Sequence, residues 1–352
     1  MLSTRKPSPL RLARIGSLLA LLTPCVAPAQ QSALFQSEEP LVMRLEAPLR
    51  AVAADLDDRE YQPARIDVRG THGEPVSVDL RVRVRGKSRT EACDFPPLLL
   101  NFPNEQPAGS PFAAENRLKL VTHCLANSEH EQYLRLERQI YVALNLLTDA
   151  SLRTRIVEAT YFDSDRQREN PGRLGFLIED ETRFAERSGL TTVDGAKVDR
   201  ALYDPAALVL FDVFQFFIGN TDWSNTDPPQ GETTCCHNVV PFARSDGVLL
   251  PVPYDFDASG LVEAPYALPS EPLPIRTVRQ RLYRGRCRDL TELEPVLATF
   301  MAQRDALTAL FTAEAGLSER RVQRARQYID EFYAILADDA QSEREFRRNC
   351  AR

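Results

Sequence analysis

Three short segments between residues 219 and 257 gather side chains that can do chemistry. Gly219-Asn220-Thr221-Asp222-Trp223 sets a carboxylate on a loop behind a long apolar run. His237-Asn238 precedes a short apolar stretch, Val239 to Phe242. Leu249 to Pro253 leads into Tyr254-Asp255-Phe256-Asp257. Acid, amide and acid on loops beside short strands offer hard oxygen donors, the kind that Mg²⁺ takes. Asn238 and Asp255 are the candidate metal ligands, with Asp257 as the alternative acid, and Asp222 is left to orient a hydroxyl nucleophile. Each also has a plainer role: Asp222 as a turn cap in Asn-Thr-Asp-Trp-Ser-Asn-Thr-Asp, Asn238 as a buried hydrogen-bonded amide.

Cations that could meet a phosphate are few. The only lysines are Lys6, Lys87, Lys119 and Lys197. Lys119, in Arg117-Leu118-Lys119-Leu120, is the first candidate, with Glu137 on the following helix as its ion-pair partner; Lys87 is the second. The basic run from Arg276 to Arg286 is either a face paired with the chain's many acids or an anion groove beside a cleft. His123 and His130 stand in no triad or metal spacing. Cys235-Cys236-His237 has no Cys-x-x-Cys spacing to support a zinc site.

The elements that must position these residues follow from periodicity. Val76, Val78, Leu80, Val82 and Val84 alternate with Ser77, Asp79, Arg81, Arg83 and Arg85, a half-buried strand ended by Gly86. Further strands are expected at Leu98 to Phe102, Arg117 to Val121, Arg155 to Phe162 and Leu174 to Ile178. Between Glu131 and Leu147 the apolar spacing becomes three and four, one face of a helix. Asp204 to Ile218 is apolar enough for a buried helix, and helices follow near Leu290 to Phe311 and Ser318 to Leu336. The expected layout is a polar lead-in over residues 30–60, a β-rich lobe with one helix over 61–178, and a mainly helical lobe over 179–352. A cleft between two such lobes is a common ligand site.

The first 29 residues read as a cleavable export signal. Arg5, Lys6, Arg11 and Arg14 form a basic start, Ile15 to Val26 an apolar stretch, and Ala27-Pro28-Ala29 a peptidase site. The apolar run falls short of the ~20 residues that a spanning helix needs, and Pro24 before Cys25 fits lipoprotein processing badly. The expected product is soluble, and periplasmic or secreted. Its six remaining cysteines, Cys93, Cys124, Cys235, Cys236, Cys287 and Cys350, read as disulfides of undetermined pairing. The net charge of −7, more negative once the signal leaves, gives no electrostatic reason to coat nucleic acid or an anionic membrane.

Asp222, Asn238 and Asp255 follow the order of the catalytic-loop Asp, metal-binding Asn and metal-binding Asp of protein kinases, at a longer Asp-to-Asn interval. The region from about Val76 to Phe256 resembles the CotH family, spore-coat and related proteins with an atypical kinase fold. Arg85-Gly86-Lys87-Ser88-Arg89 resembles that family's Arg-Gly-Asn-Ser segment. Gly175-Phe176-Leu177-Ile178-Glu179 resembles its inter-lobe segment. Asn220-Thr221-Asp222, His237-Asn238 and Pro253-Tyr254-Asp255-Phe256-Asp257 resemble its Asn-x-Asp, Asn-Tyr and Pro-Trp-Asp-x-Asp elements. Where the family has a lysine-rich strand, this chain has Phe95-Pro96-Pro97-Leu98-Leu99-Leu100. The resemblance implies an α+β, two-lobed protein-kinase-like fold and transfer of phosphate from ATP, with Mg²⁺ or Mn²⁺, to a protein hydroxyl. The alternative is a non-catalytic member of that fold that binds an envelope partner. A metal-dependent hydrolase using the same acids lacks a His-rich ligand set.

Overall fold

The computed structural model of the chain describes residues 32–350, apart from Lys87 and Glu271; the expected export signal and the candidate Lys87 therefore lie outside the described residues. Seven strands come from the alternating segments: β1 (Leu41–Ala47), β2 (Gln62–Arg69), β3 (Pro75–Val84), β4 (Leu98–Asn101), β5 (Arg117–Val121), β6 (Thr154–Asp163) and β7 (Arg168–Ile178). They hydrogen-bond in the order β1-β2-β3-β4-β5-β7-β6 and close into a barrel, because β1 pairs in parallel with β6 from Leu41 beside Val157 to Ala47 beside Asp163. The period of two decides the inside. Val76, Val78, Leu80 and Val82 of β3 are buried in the barrel core with Leu45, Ile66, Leu100, Leu118 and Val157, and Val84 is buried beyond them, while Ser77, Asp79 and Arg81 face outward.

Barrel closure overturns the expected two-lobed, protein-kinase-like fold class. Its physical cause is β1, which lies within the expected lead-in of residues 30–60. Leu41, Met43, Leu45 and Ala47 point inward; Val42, Arg44 and Glu46 point away from the core. This one strand pairs with both β2 and β6 and so removes the two open edges of the sheet.

Nine α-helices occur among the described residues: α1 (Leu49–Ala54), α2 (Ser88–Ala92), α3 (Ser128–Leu147), α4 (Glu181–Ser188), α5 (Pro205–Ile218), α6 (Leu290–Ala302), α7 (Arg304–Thr312), α8 (Glu319–Ala337) and α9 (Asp339–Glu343). A small sheet of β8 (Thr191–Thr192), β9 (Val239–Ala243) and β10 (Leu249–Pro253) completes the chain. Helix α5 is the axis of the second core. Asp204 caps it by accepting from the Ala206 and Ala207 amides at 3.0 Å, Pro205 opens its first turn, and Gly219 ends it. Phe214, Phe216, Phe217 and Ile218 are fully buried against α3, α6 and α8, whose Ile140, Phe300 and Phe332 belong to the same cluster.

Three disulfides are present: Cys93–Cys124, Cys235–Cys236 and Cys287–Cys350. They fit an extracellular or periplasmic setting, and no described helix is long and apolar enough to cross a membrane. Cys287–Cys350 joins residues 63 apart and ties the chain end to the segment before α6. Opening it in a Cys287→Ser/Cys350→Ser variant is expected to cost about 2–4 kcal/mol by releasing that loop in the unfolded chain. A lower urea midpoint, with a slope that rises as the freed unfolded chain exposes more surface, is the check; an unchanged midpoint would mean that the helical core holds the terminus without it.

Candidate active site

The loop after α5 is built to hold a carboxylate still. Gly219 takes φ +66°, and a Cβ there would stand 1.8 Å from the Tyr328 hydroxyl oxygen, so only glycine fits the turn. Buried Asn220 accepts the Asp222 amide through its side chain (2.9 Å) and the Trp223 indole through its carbonyl (3.0 Å). Arg284 Nη1 donates to the carbonyls of Thr221 (2.7 Å) and Trp223 (2.6 Å), with its guanidinium 4.5 Å from the indole ring centre.

That frame sets the Asp222 carboxylate among three donors. Oδ1 lies 2.8 Å from His237 Nε2 and 3.2 Å from Ser270 Oγ; Oδ2 accepts from Asn238 Nδ2 at 3.1 Å. Burial alone would raise the Asp222 carboxyl, but these bonds, led by His237, hold it below the usual carboxylate range. In return, the hydrogen bond to Asp222 lifts His237 above the ordinary imidazole value against the opposing effect of burial. His237 remains about one-third exposed, so an Asp-oriented imidazole faces solvent.

Two residues of the site occupy the left-handed backbone region without being glycine: Asn238 at φ +53° and Asp255 at φ +61°. Asn and Asp tolerate that conformation best, and such strain concentrates at functional sites. Their positions are fixed by the flanking hairpin, where the Tyr254 amide donates to the Asn238 carbonyl at 3.0 Å. The Asp255 amide donates to Tyr141 Oη at 2.9 Å, and fully buried Phe256 packs edge-on to Tyr141 of α3 and Phe214 of α5.

Behind Asp255 lies an unbalanced charge cluster. Arg89 of α2 donates through Nε to Asp257 Oδ2 (2.7 Å) and through Nη2 to Glu137 Oε2 (2.5 Å), and Nη2 stands 3.8 Å from Asp255 Oδ1. One guanidinium thus serves three carboxylates. Burial and then the neighbouring Asp257 push the Asp255 carboxyl up, and burial pushes Glu137 up, against the lowering pull of Arg89. Asp255 is still 36% exposed and opens to solvent, whereas Glu137 and Asp257 are buried. Arg85 adds a further positive charge that favours ionised Asp255.

The structure therefore brings Asp222, Asn238 and Asp255 together and separates the rest of the expected set. Asp257 turns back onto Arg89 as a buried structural acid. Glu137 pairs with Arg89, not with Lys119. Lys119 sits opposite Ile178 in the barrel register, and its amine pairs with Glu181 and lies 4.3 Å above the Tyr254 ring. Among the described residues, no group of three or more His, Cys, Asp or Glu side chains is arranged to hold a metal ion. The donor set is instead two carboxylates, Asp222 and Asp255, with the amide oxygen of Asn238. These are hard oxygen donors, the kind that a divalent cation takes.

Ser270, Arg85 and Arg89 are additions to the candidate set, and His237, singled out only as part of the His237-Asn238 segment, gains a role of its own. Arg85 and Arg89 bracket the Arg-Gly-Lys-Ser-Arg segment and were legible there, once arginine is allowed the part sought from lysine. His237 adjoins Asn238. Ser270, 48 residues beyond Asp222, carries no local signal. The basic run divides: Arg281 donates to the carbonyls of Phe216 (3.1 Å), Phe217 (2.6 Å) and Tyr328, and Arg284 to the Asp222 loop, so both are internal braces. Neither a scan of protein-family models nor searches of curated proteins and of solved structures found a match to this chain.

Proposed function

We propose that the chain is a periplasmic or secreted phosphotransferase that moves phosphate from ATP, with Mg²⁺ or Mn²⁺, to a hydroxyl of a protein. The observation that carries this reading is the pairing of a solvent-facing His237, oriented by Asp222, with the open Asp255 carboxylate backed by an acid-rich cluster. Three of the segments that resemble the CotH family (Asn220-Thr221-Asp222, His237-Asn238 and Tyr254 to Asp257) meet at this point, the last through the Tyr254 amide on the Asn238 carbonyl, which supports the reading without the two-lobed frame.

Asp222 holds the imidazole with Nε2 toward its own carboxylate, so the other ring nitrogen can accept the proton of an acceptor hydroxyl. Asn238 Oδ1 and Asp255 would hold the metal, and Arg85 would face phosphate in the place expected of Lys119. The bound metal nucleotide supplies the phosphoryl group and neutralises its charge; the protein's part is to position and to exclude water.

A second reading, a nucleotide or envelope-protein binder without chemistry, is favoured by one observation: Lys119 is engaged by Glu181. Thermal melting of the oxidised protein with ATP plus Mn²⁺ or Mg²⁺, beside Asp255→Ala, tests the shared ground. Ligand at a hundred times its dissociation constant adds ~2.7 kcal/mol, a rise of several degrees for a chain of this size. A metal-dependent rise that Asp255→Ala abolishes supports the nucleotide site, and transfer of label from γ-phosphate then separates enzyme from binder. No rise at millimolar ATP would sink both nucleotide readings.

A further inference from the structure

Beside the site, the segment from Ala264 to Pro269 forms one wall of a second cleft, of about 420 Å³, whose chemistry is different. Five arginines line it: Arg276 and Arg279 from the chain after that segment, and Arg320, Arg321 and Arg324 from α8 and its first turn. The acid inside is Glu263, shared by Arg279 (3.8 Å), Arg321 (3.7 Å) and Arg324 (2.8 Å). Glu129 reaches Arg321 from α3 at 3.3 Å. Five guanidinium charges against two carboxylates leave an excess of positive charge. Arg276 and Arg320 are exposed and make no ion pair with any described residue. The other wall is apolar, and Leu268 on it is 77% exposed, the most exposed large hydrophobic side chain of the described residues.

We infer that this cleft docks an acidic peptide segment in which carboxylates or phosphorylated side chains flank an apolar residue. Arginine suits the task, because its planar fork grips carboxylate and phosphate by two parallel bonds. The preformed ion pairs to Glu263 keep Arg279, Arg321 and Arg324 in place, so a ligand need order only Arg276 and Arg320. The mixed character of the walls, charged on one side and apolar at Leu268, suits a peptide better than a bare inorganic anion. The wall segment also joins the two sites. Just past its end, Ser270 Oγ lies 3.1 Å from the Thr221 carbonyl and 3.2 Å from Asp222 Oδ1, so a peptide seated beside Leu268 and Pro269 is delivered toward Asp222 and His237. That this peptide is the phosphate acceptor rests on the function proposed above; that the cleft binds it does not.

The test is fluorescence anisotropy with a labelled octapeptide of alternating Glu and Leu, beside its Gln-for-Glu counterpart. Arg276→Glu/Arg320→Glu removes the two unpaired charges without breaking an ion pair, and its melting temperature is the control for folding. Saturable binding of the Glu peptide, at least tenfold weaker for the Gln peptide and for the double variant and weakened by 0.5 M salt, is the expected result. Equal affinity for the two peptides, or no loss in a folded double variant, would overturn the proposal. So would an anionic polysaccharide that binds the same arginines while the peptide does not. Asp255→Ala keeps the peptide affinity even if it abolishes the ATP-dependent thermal shift, so failure of the docking site and failure of the nucleotide site give different results.

Discussion

Arg89→Met is expected to lower the folding stability by about 3–5 kcal/mol, the range found when one partner of a buried ion pair is removed. The size follows from what is left behind. Glu137 and Asp257 are 2% and 6% exposed, and Arg89 gives each its direct charge-assisted bond, at 2.5 and 2.7 Å. Without the guanidinium, two carboxylates remain desolvated next to Asp255, and burial already pushes Glu137 and Asp255 upward with Arg89 present. The sign of the pH effect is fixed by this. A carboxyl whose folded value lies above its unfolded value stabilises the fold while protonated and loses that contribution as pH rises. The deficit of the variant is therefore smallest at acidic pH and grows toward neutrality. Urea midpoints at pH 5 and pH 8 measure it, and adding Glu137→Leu should return part of the loss. A deficit below about 1 kcal/mol at pH 8 would show that water reaches the cluster and that the ion pairs behave as surface ones.

The same network shows where sequence reasoning reaches its limit. Arg89 meets Glu137 across 48 residues and Asp257 across 168, separations at which no periodicity speaks. What was legible is local. The run Asp204 to Ile218 announces a buried helix with its cap and its terminating glycine, and Val76 to Val84 announces a strand with one face inward. Order along the chain sufficed to group Asp222, Asn238 and Asp255, because Asp222 follows a helix that its own sequence announces, and Asn238 and Asp255 flank the β9–β10 hairpin, whose strands are near in sequence. Barrel closure was not legible, since it depends on a parallel pairing of Leu41–Ala47 with Val157–Asp163. The expected Lys119–Glu137 pair failed for a related reason. It requires knowing what else reaches α3; α2, tied down by Cys93–Cys124, inserts Arg89 there first, while the barrel register points Lys119 at Glu181.

His237→Ala is expected to lower the rate of phosphoryl transfer by about 10²–10⁴-fold, the usual worth of a positioned general base, while the metal–ATP thermal shift stays as in the parent. The acceptor is a serine-bearing form of the acidic peptide, or the protein itself if it autophosphorylates. The pH profile distinguishes proton transfer from mere support. Asp222 raises the His237 value above 6.5, so the neutral base accumulates, and kcat/KM climbs, only as pH rises through that raised value. Asp222→Asn removes the negative charge that raises it and leaves at most a neutral hydrogen bond, so the rising limb should move to lower pH even as the rate falls. Stability carries the complementary signature. The raised imidazole contributes fully below its unfolded value and loses the contribution as pH climbs through the folded one; the lowered Asp222 contributes above its unfolded value and loses it as pH falls. His237→Ala should therefore cost most stability between those limits and little in alkali. A transfer rate within threefold of the parent would assign the proton to Asp222 itself and leave His237 as the residue that positions it.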